Sequence, residues 1–173
     1  EVPGIEAPYN AALLREEKGY LLFFRFDTPF CSRNRAFYAS HIGGVQLESD
    51  FTLRKETVFT VDTGSRFSED ARAFTHEGQH YLLFNDIDSV ESQTRALRLA
   101  PIDLSNRRLK QAISLSTQSG QVEKNWTPFS HEGNIYFLHT IDPQKILKLS
   151  DPKRNAFESV SSSNSLCSFW SDK

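Results

Sequence analysis

Methionine is absent from the 173 residues, and cysteine occurs only as Cys31 and Cys167. Two cysteines so far apart do not make a disulfide framework. Read as free thiols, they point to a reducing, cytoplasmic compartment. No apolar run approaches the ~20 residues of a membrane-spanning helix, and no charged-then-apolar leader is visible, so no membrane partner is expected. Neither sign of charge dominates: 20 Lys and Arg face 22 Asp and Glu, a formal net charge of −2. That balance removes any overall electrostatic drive toward nucleic acid, although it permits a local basic pocket. Helical periodicity is weak almost everywhere. The best helix candidate, Ala11 to Glu17, is short and lacks a strong cap.

What the chain does have is aromatic. Phe occurs 14 times and aromatic residues make up 12%, which argues against disorder. The length is one domain's worth of chain, at roughly 100–200 residues per domain. The chain opens on Glu1 rather than Met and closes on Ser-Phe-Trp-Ser-Asp-Lys. It is therefore expected to be an N-terminal piece of a longer protein. Short apolar or aromatic runs, bounded by Gly, Asp, Asn or Ser, read as strands: Gly19–Asp27, Ile42–Leu47, Thr57–Val61, His80–Ile87, Arg95–Leu104, Ile113–Leu115, Ile135–Ile141 and Ile146–Leu149. The fold class is all-β.

An internal repeat organises these strands. Residues 74–88 read FTHEGQHYLLFNDID and residues 129–142 read FSHEGNIYFLHTID. Each has Phe, a small hydroxyl residue, His-Glu-Gly, a Tyr-led apolar strand and Ile-Asp. Residues 17–27, EKGYLLFFRFD, form a weaker copy when Tyr20 is matched to Tyr81. Repeats of about 40–50 residues carrying several strands are the signature of propeller blades. Blades are expected near residues 11–60, 66–117 and 121–173, with a β-sandwich of similar hairpins as the alternative. Closure takes about four or more blades, so three would be part of a ring.

Polar residues interrupt the apolar strands at matching places: Phe24-Arg25, Asn85-Asp86 and His139-Thr140. Such a register suggests a polar axis with Arg25 and Asp86 on it. The segment 66–72, RFSEDAR, puts two carboxylates and two guanidiniums just before a strand. Period-two alternation places Asp70 and Arg72 on one face and Glu69 on the other. A single carboxylic acid at such a place can protonate a leaving oxygen. Residues 123–129, EKNWTPF, occupy the same place in the next repeat. There Lys124 offers a charge for a phosphate or a sugar hydroxyl, and Trp126 a flat face for a sugar ring or for packing.

Tyr9-Asn10-Ala11-Ala12, Arg25 within LLFFRFD, Glu69-Asp70-Ala71-Arg72 and Glu123-Lys124-Asn125-Trp126-Thr127-Pro128-Phe129 occur in this order. Together they resemble the β-mannoside phosphorylases of glycoside hydrolase family 130 and the related β-1,2-mannosyltransferases. The resemblance implies a five-bladed propeller acting on an oligosaccharide or other mannoside by inverting chemistry. It implies Asp70 as general acid and Arg72 as the Arg of the family's Asp-Pro-Arg motif, with Ala71 standing where that motif has Pro. It further implies Asn10, Arg25 and Asn125 as sugar contacts and Lys124 at the phosphate end. Inorganic phosphate would be co-substrate, with no metal and no organic cofactor. Phosphate is itself a nucleophile, so a second carboxylate to activate water is not required, unlike the usual two-carboxylate arrangement. A hydrolase of a related five-bladed family would need an early Asp where Asn10 stands. A non-catalytic carbohydrate-binding propeller is the remaining alternative. A homo-oligomer is compatible with all of these readings.

Overall fold

The computed structural model describes residues 2–32, 35–89, 94–116, 125–151 and 156–163. Within them the chain is all-β, in three antiparallel sheets. The first sheet holds β1 (Tyr9–Glu16), β2 (Gly19–Ser32), β3 (Arg35–Leu47) and β4 (Phe59–Thr60) in sequence order. The second holds β5 (Glu69–His76), β6 (Gln79–Ser89) and β7 (Thr94–Asp103), with β8 (Arg108–Leu109) and β9 (Ile113–Leu115) both pairing with β7. The third holds β10 (Thr127–His131), β11 (Asn134–Ile141), β12 (Gln144–Asp151) and β13 (Ala156–Ser163). A single 3₁₀ turn, Lys55–Thr57, is the helical element among the described residues. The helix candidate Ala11 to Glu17 is strand instead, lying largely within β1. Its alternate residues serve two environments, Leu14 buried and Leu13 exposed, and tertiary packing overrides a weak local propensity.

The hairpins joining the first two strands of each sheet have equal length. Glu16 pairs with Gly19, His76 with Gln79 and His131 with Asn134, leaving two residues in each turn. In the second and third sheets both turn residues have positive φ, Glu77 and Gly78 at 48° and 75°, Glu132 and Gly133 at 46° and 70°. That is the type I′ hairpin, whose twist matches the strands it joins. In the first sheet the glycine falls after the turn, at Gly19 with φ 139°. A Cβ there would collide with the Leu47 carbonyl oxygen.

β5 packs against β1 on one side and β10 on the other, so the leading strands of the three sheets lie together. Apolar faces close the gaps between sheets. Leu21, Phe23 and Ile42 meet Leu82, Phe84 and Ile102 between the first and second sheets. Phe74, Leu83 and Leu97 meet Trp126, Phe137 and Leu147 between the second and third. A third cluster places Val2 against Phe24, Phe26, Val45 and Leu47. The central strands β2 and β6 are thus apolar on both faces, which explains the unalternating LLFF and YLLF runs.

Candidate functional site

Each leading strand begins with the same backbone irregularity. Asn10, Asp70 and Asn125 all lie in the left-handed region, with φ of 51°, 56° and 61°. In the first two sheets a bulge accompanies it, between Tyr9 and Ala12 and between Glu69 and Arg72. Asn and Asp tolerate this conformation better than other side chains. An extra residue in the strand breaks the alternation of faces and re-aims the neighbouring side chains. The expectation that Glu69 and Asp70 point to opposite faces is corrected by this bulge: both carboxylates reach the same guanidinium nitrogen, Arg25 Nη1, at 2.8 and 3.3 Å.

Arg25 is the hub of the cluster. Its Nε lies 3.2 Å from Asp27 Oδ1, and its Nη2 donates to Ser40 Oγ at 2.9 Å. Ser40 donates onward to Asp27 Oδ1 at 2.8 Å, and the Tyr9 hydroxyl donates to Asp27 Oδ2 at 2.6 Å. Glu69, buried with 8% of its side chain exposed, also pairs with Arg95 of β7. A partly buried guanidinium and a buried carboxylate each lose hydration, a loss offset here because Arg25 and Glu69 each have more than one partner. The shifts follow. Burial acts to lower the Arg25 pKa, but Asp27 and Asp70 outweigh it and hold the guanidinium above its usual value. Burial acts to raise the Asp27 carboxyl, but the hydrogen bonds from Tyr9, Ser40 and Arg25 outweigh it and hold it below the carboxylate range. Burial first, then the Asp27 hydrogen bond, pushes the Tyr9 phenol up to about 12. Burial and the nearby Arg25 charge pull Arg95 downward. Glu69 stands against it, and the pair is ionic, since a guanidinium stays charged in proteins.

Asp70 is held on one oxygen. Asn10 Nδ2 donates to Oδ1 at 2.5 Å, and Arg25 Nη1 lies 3.3 Å from the same atom. Among the described residues no donor is bonded to Oδ2. The carboxyl is therefore oriented through Oδ1, and among the described residues Oδ2 carries no hydrogen bond.

Of the residues expected at a site, Asn10, Arg25 and Asp70 come together. Asp86 does not join them. It is buried, accepts from the Ile87 N–H at 2.9 Å and pairs with Arg98 at 3.2 Å. The reason is a one-residue slip in matching the repeats. Tyr9 pairs with Arg25 and Glu69 with Asn85, so Asn85, not Asp86, occupies the register of Arg25. In a strand, one residue is the opposite face. Trp126 is 1% exposed and packs among Phe137, His139 and Phe157. It cannot offer a face to a sugar, and its place as a substrate contact is corrected to a core residue. Arg72 and Asn125 are exposed and lie outside the cluster. Lys124 lies outside the described residues. Two concave spaces also lie elsewhere, one of about 750 Å³ against Val2–Pro8 and Lys55 and one of about 340 Å³ at the β1–β2 turn.

Sequence reasoning did not single out Tyr9, Asp27, Ser40, Glu69 or Arg95. Glu69 had a signal, as the second carboxylate of residues 66–72. Arg95 had none, because its role depends on the pairing of β6 with β7.

No known protein-family pattern matches the chain, and no curated protein does. Among solved structures, the catalytic domain of the GH62 α-L-arabinofuranosidase of Coprinopsis cinerea is similar at 8% identity, with a TM-score of 0.49. The similarity covers 92% of this chain and 48% of that one, so the chain spans about half the length of that domain.

Proposed function

We propose that this chain forms three blades of a five-bladed β-propeller and carries the acid side of a site that cleaves β-mannosides, with Asp70 as general acid. The observation that carries the reading is the state of the Asp70 carboxyl. Arg25 and Asn10 fix Oδ1 from the first sheet, and among the described residues Oδ2 has no hydrogen-bond donor of its own, which leaves it the oxygen to carry a proton. A proton on Oδ2 passes to the glycosidic oxygen as the bond from that oxygen to the anomeric carbon breaks. The oxygen of inorganic phosphate attacks the same carbon from the opposite face, and the products are a sugar with a free hydroxyl and mannose 1-phosphate.

Phosphate, rather than water, is supported as nucleophile by the condition of the other carboxylates. Asp27 accepts from Tyr9, Ser40 and Arg25, and Glu69 lies between two guanidiniums. Neither is free to take a proton from water. The cluster itself holds two arginines against three carboxylates, so the cations that neutralise phosphate lie beyond it. Arg72 is one candidate, exposed and without an ion-pair partner among the described residues, and Lys124 is another.

The test compares Asp70→Asn with the unaltered protein on a β-mannobiose and on an aryl β-mannoside, with and without phosphate. Turnover of the disaccharide is expected to fall about 10²–10⁴-fold. The aryl substrate, whose leaving group needs little protonation, is expected to suffer less. Equal turnover of the disaccharide by the two proteins removes Asp70 from the acid role. Turnover independent of phosphate replaces phosphorolysis with hydrolysis.

A further inference from the structure

With Trp126 in the core, the flat face for a sugar has to be found elsewhere, and one aromatic ring belongs to the cluster that holds Asp70. Tyr9 immediately precedes Asn10 in the first bulge and is 39% exposed. Its ring is fixed at two places. The hydroxyl donates to Asp27 Oδ2 at 2.6 Å, and the Arg25 guanidinium lies over the ring, 5.0 Å from its centroid. Asn10, the next residue, donates to Asp70 at 2.5 Å. The ring is thus tied to the same guanidinium and the same bulge that orient Asp70, and part of its surface still meets solvent. Pyranose rings carry apolar C–H patches that pack on aromatic faces, and an aromatic side chain supplies contact area with only two rotatable bonds to immobilise. A ring already held loses still less freedom on binding.

We propose that Tyr9 is the stacking platform for the sugar whose glycosidic oxygen Asp70 protonates. The proposal rests on the carbohydrate reading given above. Tyr9 also anchors Asp27, and that structural duty alone predicts a different pattern of variants. Removing the hydroxyl breaks the anchor and keeps the ring; replacing the ring by a branched aliphatic of similar bulk breaks both.

The 173-residue chain is titrated with methyl β-D-mannopyranoside and with a β-mannobiose, binding being followed by NMR, with saturation transfer from the aromatic protons to the sugar. Thermal unfolding confirms that each variant is folded. Tyr9→Phe is expected to bind within about twofold of the unaltered chain, and Tyr9→Leu to bind about two- to tenfold more weakly. Saturation transfer from the Tyr9 ring to the sugar is expected in the unaltered chain and needs no variant. Mannoside binding that is unchanged in Tyr9→Leu, or that shows no transfer from Tyr9, overturns the platform and leaves Asp70 untouched. A loss in Tyr9→Phe as large as in Tyr9→Leu assigns the effect to the anchor and also overturns it. Absence of binding to either mannoside in the unaltered chain sinks the platform and the carbohydrate reading together.

Discussion

Arg25 gathers three carboxylates, Asp27, Glu69 and Asp70, from two sheets. A guanidinium does this because its donors fan out in a plane; an ammonium is a compact point charge. Asp27 in turn holds Arg25, and its protonation is expected to be felt in stability. Its folded pKa lies below the unfolded value, so the unfolded chain takes up the proton first. The stabilisation is present above about pH 4, the unfolded value, and is lost as pH falls through the folded one. Urea unfolding across the acid range is expected to show a shallower acid limb in Asp27→Asn than in the unaltered chain. Tyr9 gives the alkaline counterpart. Its phenol titrates near 12 when folded and near 10 when unfolded. Stability is therefore full below about pH 10 and falls as pH rises toward 12, a fall that Tyr9→Phe is expected to abolish. Arg25 was legible in the sequence as a charge interrupting an apolar run, and Asp70 as part of a dense charged turn. Glu69 stood in that same turn, but its pairing with Arg25, like that of Asp27, was not legible, because which carboxylate meets which guanidinium depends on pairing between sheets and on a bulge that leaves no mark in composition.

The left-handed residue at the start of the leading strand recurs in three sheets, and its backbone is what the side chains must tolerate. Asn125 is exposed with φ 61°, so its substitution reads the conformation with little interference from contacts. Asn125→Val is expected to destabilise by about 1–2 kcal/mol, whereas Asn125→Gly is expected to be near neutral, both read from denaturant midpoints. A second element, the β2–β3–β4 surface, shows why two glycines follow Ile42. Any Cβ at Gly43 would overlap the Phe24 ring, and at Gly44 the Phe59 ring. Gly43→Ala and Gly44→Ala are each expected to cost about 1–3 kcal/mol through overpacking. The repeat made most of these elements legible. It also misled by one residue, since Tyr20 and Tyr81 match as letters while the equal two-residue turns set a different correspondence. The strand Ala156–Ser163, rich in serine, carried no apolar period to reveal it.

At the scale of the whole molecule, three sheets share two apolar seams, and polar bridges cross them at the hairpin ends. His80 Nε2 lies 3.2 Å from Glu16 Oε1 between the first and second sheets, and His76 Nδ1 lies 2.9 Å from Ser130 Oγ between the second and third. Trp126 fills the second seam and is the largest of the fully buried side chains among the described residues. Trp126→Ala is expected to cost about 3–5 kcal/mol, read as a lowered denaturation midpoint, while Arg72→Ala, at an exposed position, is expected to change it little. The all-β class was readable because the period-two and continuous apolar runs are local. How the sheets face one another was not, since it is settled by side chains far apart in the chain, such as Phe74 and Phe137.

The left-handed residue at the head of each sheet has a consequence for descent. At positions 10, 70 and 125 the main chain takes the same left-handed step, and that backbone, not the identity of the side chain, is what the three sheets have in common. Exchanging an amide nitrogen for an oxygen, at Asn10 or at Asn125, would move acidity from one sheet to another with no element rebuilt. A chain organised in this way can change the chemistry of a position more readily than its shape.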